Sequence, residues 1–218
     1  MDVGVFDRTE TSDQLISASM YNLVIGLTLI WGFAINWWMV LNVPVELISS
    51  VNPFFFFIGY FASCFFGIYL FKKSDSPMVS FVGYNFVVVP FGLIINMVVS
   101  QYDPSIVLEA IRITGMVTFV MMLLGSMYPA FFQKIIGGLS IALLCVIVVE
   151  LIEVFIFNTH HGILDWIVAI IFCGYIGYDW ARANAIPKTY DNAVDSAAAL
   201  YMDIINLFLR ILRILGRK

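Results

Sequence analysis

Seven apolar stretches follow one another along the chain, at about 20–41, 54–71, 78–100, 105–125, 134–157, 162–181 and 196–215. Each is continuous rather than alternating, and each is near the ~20 residues that carry an α-helix across the hydrocarbon core of a bilayer. Polar or proline-bearing breaks separate them: Pro44 and Pro53, Ser74 to Pro77, Asp103-Pro104, Pro129, Asn158 to Gly162, and Pro187. A β-barrel needs short strands of alternating character, which these runs are not. Helices remain, because a segment in lipid must satisfy its backbone hydrogen bonds internally. Pro90 inside the third stretch predicts a kink there. The pattern predicts an all-α integral membrane protein, a seven-transmembrane-helix bundle forming a single domain over residues 1–218.

The seventh stretch differs from the others. Asp203, Asn206, Arg210, Arg213 and Arg217 recur at spacings of three and four, so they form one polar stripe along a helix. A centrally placed Asp or Arg facing lipid costs about 2.5–3.5 kcal/mol. The other faces, with Leu200, Ile204, Leu207, Phe208 and Ile211, are apolar. Such a helix is either enclosed by the other six or lies in the cytoplasmic interface. A full span would carry Arg217 and Lys218 to the far side unless it stops short or re-enters. The nearly all-round apolar faces favour a C-terminal helix that sits centrally, enclosed by the other six, with Asp195-Ser196 as its N-cap.

Composition agrees. Hydrophobic residues make up 61% of the chain and charged residues 12%, against roughly 25% charged in soluble domains. The net charge of −4 and the lack of a basic patch laced with aromatics exclude nucleic acid as a partner; the lipid bilayer takes that place. Cys64, Cys145 and Cys173 lie within apolar runs and are odd in number, which argues against a disulfide framework. The first 18 residues are acidic and polar, and the apolar run after them is too long for the core of a cleaved signal peptide. Connections on the N-terminal side carry Arg8, Lys72, Lys73, Lys134, Arg182 and Lys188, whereas those on the other side carry none. The positive-inside rule then puts the N-terminus in the cytoplasm, and the compact chain with short loops suits a bacterial plasma membrane.

Candidate chemistry rests on carboxylates at membrane depth, where ionisable groups mark ion or proton paths. Asp179 lies near the cytoplasmic end of the sixth stretch, and Asp203 follows in the seventh, about 10–12 Å deep if that helix starts near residue 196. A short linker makes the two helices neighbours. If the carboxylates touch, two like charges about 4 Å apart repel by about 4 kcal/mol at an effective dielectric near 20. Both cannot stay ionised, so the pair would share a proton and titrate as one unit. The alternative is an Asp179 solvated beside Arg182, with Asp203 bonded to a neighbouring helix. Arg182, Asn206 and Arg210 are candidates to support such a latch or a pore. Toward the other face, Glu150, Glu153 and Asp165 supply hard oxygen ligands that suit an outer cation site; the alternative there is an ion pair between Arg112 and a glutamate. His160-His161 would not share a helix face, and no resident metal or other cofactor is assigned.

Two segments carry a resemblance. Gly174-Tyr-Ile-Gly-Tyr-Asp179, followed by Ala198-Ala-Leu-Tyr-Met-Asp203-Ile-Ile-Asn-Leu-Phe208, resembles the signature end of the Bax inhibitor-1, or transmembrane BAX inhibitor motif, family. The resemblance implies a seven-helix bundle with the last helix central. It implies a non-enzymatic, pH-sensitive leak of calcium down its gradient, with calcium ions and protons as partners and Asp179 and Asp203 as the gate. Family members can carry a basic residue on the second helix that engages the pair. Residues 54–71 hold no arginine, only Lys72 and Lys73 beyond their end. The competing expectations are a non-catalytic regulator acting through other membrane proteins, by protease modulation or cell-death suppression, and an intramembrane aspartyl protease. The protease reading lacks the Gly-x-Gly-Asp context and the Pro-Ala-Leu motif expected of that class.

Overall fold

Four of the long helices begin on a proline, where the missing amide proton costs nothing. The computed structural model describes residues 14–157 and 162–217. In chain order the helices are α1 (Ala18–Asn42), α2 (Val45–Ser49), α3 (Pro53–Lys73), α4 (Pro77–Val99), α5 (Pro104–Met127), α6 (Pro129–Ile152), α7 (Gly162–Ala185) and α8 (Tyr190–Leu215), with a π-helical turn over Glu153–Phe157. No strand occurs among the described residues. Six helices, α1 and α3 to α7, are long and apolar enough to cross a membrane. The 26-residue α8 is long enough but carries the polar stripe, so composition returns six of the seven expected spans.

The chain packs as two compact units. The first comprises residues 1–101 and 186–201, the second 102–185 and 202–218. In the first unit α4 packs on α1 and α3. Its core holds Tyr21, Tyr84, Val87, Val88, Leu200 and Tyr201, all fully buried. Gly67 and Gly83 let α3 and α4 approach until a Cβ on either would meet the other's carbonyl oxygen. In the second unit α7 packs on α5 and α6, burying Val168, Ile171, Phe172 and Ile176. Elsewhere the long helices expose Leu27, Ile30, Phe61, Phe65, Phe119, Ile141 and Ile170. So much exposed apolar surface is what a lipid solvent requires.

Three boundaries differ from the sequence reading. Helix α6 starts at Pro129, five residues before the expected 134, because proline at the first helical position has no amide proton to leave unpaired. Helix α7 continues through Arg182 to Ala185, with the Asn184 amide donating to the Trp180 carbonyl at 2.8 Å. Helix α8 starts at Tyr190, not 196. Its cap is Thr189, whose Oγ1 accepts from the Asn192 amide at 3.1 Å, and Asp195 and Ser196 lie buried inside the helix. Asp191 and Ser196 tolerate the helix because the first unit supplies partners: Ser80 donates to Asp191 at 2.6 Å, and the Tyr21 and Ser196 hydroxyls are 3.0 Å apart. Pro90 is buried within an α4 that runs on to Val99. The short α2 had no counterpart in the hydrophobic pattern. The expected turn at 158–161, with His160 and His161, falls outside the described residues, as do Arg8 and Lys218.

Candidate functional site

The second unit contains both motif aspartates. Helix α7 delivers Asp179 through a run of close contacts that account for the residues around it. A Cβ on Gly174 would meet the Leu139 side chain of α6. One on Gly177 would enter the Phe132 ring, while a Cβ on Gly125 of α5 would collide with the Gly177 carbonyl. Small residues thus let two helices, α5 and α6, close around α7, the usual device when lipid cannot drive helices together. Two side-chain hydrogen bonds complete the arrangement: Tyr175 to Ser140 at 3.0 Å and the Trp180 indole to Ser126 at 2.7 Å. Asp179 lies between these anchors.

Helix α8 delivers Asp203. With the helix starting at Tyr190, Asp203 lies thirteen residues along it, about 20 Å at 1.5 Å per residue. That is nearly twice the depth the sequence reading allowed. The carboxyl groups of Asp179 and Asp203 approach each other to within hydrogen-bonding range, and Arg182 lies within electrostatic range of Asp179. Asp179 is half-buried and Asp203 is buried. Carboxylates only accept, so a hydrogen bond between two carboxyls needs a proton on one of them. Asp203 Oδ2 is buried and makes no hydrogen bond among the described residues. Asn206, one turn on, donates its amide to the Met202 carbonyl at 2.8 Å and so serves its own helix.

Farther along α8 lies a second polar layer. Arg210 holds Glu150 with both Nη atoms and reaches Asp165 at 3.0 Å. Arg217 is 2.8 Å from Asp165 Oδ2, and Arg213 is 3.6 Å from Oδ1. Two expectations change here. Arg210 supports this layer and not the aspartate pair, because it lies about 10 Å beyond Asp203 on α8. Glu150 and Asp165 do come together, but they close on guanidiniums where an outer cation site was expected. Among the described residues no group of three or more metal-ligating side chains occurs. Glu153 is half-buried at the head of the π-helical turn, while Arg112 and Glu109 are exposed on α5. The α5 anchors Gly125 and Ser126 escaped sequence reasoning, because neither residue type signals chemistry until its neighbour is known.

Comparison with known proteins agrees with the two motifs. A family model described as inhibitor of apoptosis-promoting Bax1 matches residues 14–218. The chain belongs to the Bax inhibitor-1 family. It is 31% identical over 172 residues to an uncharacterized protein of Helicobacter pylori, covering 74% of this chain and 70% of that one. It is 28% identical over 172 residues to Bax inhibitor 1 of Schizosaccharomyces pombe, covering 77% and 63%. Against the Golgi anti-apoptotic protein of vaccinia virus the figures are 33% over 121 residues, covering 54% and 50%. The chain thus spans between half and seven tenths of these relatives' lengths.

Proposed function

We propose that this family member is a pH-sensitive calcium or cation leak channel whose gate is the Asp179–Asp203 pair. The observation that supports the reading is the close approach of two carboxyls on consecutive helices. With one shared proton the pair fastens α7 to the second half of α8. When pH rises and the proton leaves, the same atoms repel, and the contact becomes a site for a cation. Leak should therefore increase as pH rises.

In the same proposal α8 runs centrally, enclosed by the other helices in one seven-helix domain. Its support is burial: every residue from Asp191 to Tyr201, and Asp203 to Ile205 beyond them, is buried. The N-terminus faces the cytoplasm of a bacterium whose plasma membrane holds the protein. This rests on the distribution of Lys and Arg and on the Helicobacter relative.

The test is calcium flux into liposomes holding the purified chain, measured across pH. Wild type should leak more as pH rises. Asp179→Asn and Asp203→Asn, which cannot repel, should lose that dependence. Equal flux with equal pH dependence in wild type and both variants would sink the gating claim. A second reading is favoured by the names of two relatives, Bax inhibitor 1 and Golgi anti-apoptotic protein: a non-catalytic regulator that acts through membrane-protein partners. A stoichiometric crosslinked partner, together with no ion flux by the purified protein, would select it.

A further inference from the structure

The three arginines at the end of α8 are not equally engaged. Arg210 is committed to Glu150 and Asp165, and Arg217 sits against Asp165. Arg213 makes a single ionic contact among the described residues, at 3.6 Å, and no hydrogen bond. Among the described residues of this layer, three guanidiniums face two carboxylates, which leaves one positive charge. The side chains of Arg213 and Arg217 are 35% and 37% exposed, whereas Asp165 is fully buried. Their free donors therefore point away from the acids that hold them.

Beside Arg217 is a cavity of about 600 Å³ lined by Gly162, Ile163, Trp166, Ile214, Leu215 and Arg217. Among the described residues its walls are apolar except for that guanidinium. The lining comes from the start of α7, the end of α8 and the turn just after it, where a spanning segment meets the headgroups. Trp166, exposed at this level, is the residue type that marks the membrane interface.

We infer that this is a binding site for an anionic phospholipid. The phosphodiester lies on Arg217 at the cavity and on Arg213, which stands outside the lining but shares Asp165 with Arg217. An acyl chain lies along Trp166, Ile163 and Ile214. Guanidinium offers parallel N–H donors that match phosphate oxygens, which suits it to an anionic headgroup. Charge selects within the class. A phosphodiester with an uncharged headgroup brings one negative charge and balances the layer, whereas a zwitterionic headgroup adds a cation beside three others.

The experiment is native mass spectrometry of the full chain, released from micelles doped with phosphatidylglycerol or phosphatidylcholine. Wild type should retain one phosphatidylglycerol with about a tenfold preference over phosphatidylcholine. Arg213→Gln should abolish the preference, and Arg213→Lys should keep part of it. Trp166→Ala should weaken retention of both lipids, and Arg112→Gln, removing an exposed arginine elsewhere, should change nothing. Arg213 has only its 3.6 Å contact to lose, so its variants should fold, and a circular dichroism melt checks that they do. Equal retention of the two lipids by wild type, or a preference that survives Arg213→Gln in folded protein, would overturn the assignment. Displacement of the lipid by millimolar inorganic phosphate would also overturn it, by showing a bare anion site.

Discussion

Gly125→Ala tests how tightly the site depends on helix packing. A Cβ added at Gly125 falls within 3.0 Å of the Gly177 carbonyl oxygen, whereas ordinary contact begins at 3.4 Å. The obstacle is backbone, so it cannot rotate away, and α5 and α7 must part by at least 0.4 Å. Overpacking of this kind costs about 1–3 kcal/mol. It acts two residues from Asp179 and next to the 2.7 Å Trp180–Ser126 bond, so both that bond and the Asp179–Asp203 contact should loosen. Gly115, on the same helix, has nothing within 4 Å of its would-be Cβ. Gly115→Ala should accordingly gain up to about 1 kcal/mol from helix propensity alone. The assay is thermal unfolding in detergent, followed by circular dichroism, with calcium flux at acidic pH as a second readout. The account predicts opposite signs for the two substitutions and a leak at acidic pH for Gly125→Ala only. Gly125→Ala as stable as wild type, or Gly115→Ala equally damaging, would refute the reasoning.

Other outcomes follow from the same contacts. Asp165→Asn leaves three guanidiniums with Glu150 alone, and should cost about 3 kcal/mol, the low end for a broken buried pair because the arginines keep some exposure; a detergent melt reads it. Ser126→Ala removes the acceptor for Trp180 and should cost about 0.5–1.5 kcal/mol, with a change in Trp180 fluorescence. Tyr201→Phe removes the hydroxyl that accepts from Asn36 Nδ2, in a side chain whose Oδ1 already lacks a partner among the described residues. It should destabilise by about 1–3 kcal/mol, and Asn36→Leu in the same background should recover part of that loss.

The hydrophobic pattern located the helices because apolar run length and proline punctuation are local properties. It misplaced the start of α8 because Asp191, Asn192, Asp195 and Ser196 read as a polar linker. Only with Ser80 and Tyr21 in place do they become helix interior. The aspartate pair was legible from one-dimensional spacing, since two consecutive helices joined by a short linker bring such residues to one level. The fate of Arg210 was not, because the stripe on α8 names the residues but not which helix faces each turn. Likewise Glu150 and Asp165 signalled a cation without showing that the cation is the protein's own. Glycines were the least readable. Gly125 and Gly115 look alike in sequence, yet one carries a helix contact and the other faces open space.

The central claim is that one proton joins Asp179 to Asp203 and that its loss opens the leak. Infrared spectroscopy of the reconstituted protein, titrated in steps of pH alongside calcium flux, observes that proton directly through the carbonyl stretch of a protonated carboxyl. The account predicts one protonated-carboxyl band that disappears as flux rises, with the same midpoint, and that no longer titrates with flux in Asp203→Asn. Flux that rises while the band stays unchanged, or a titrating band that survives in Asp203→Asn, would contradict it.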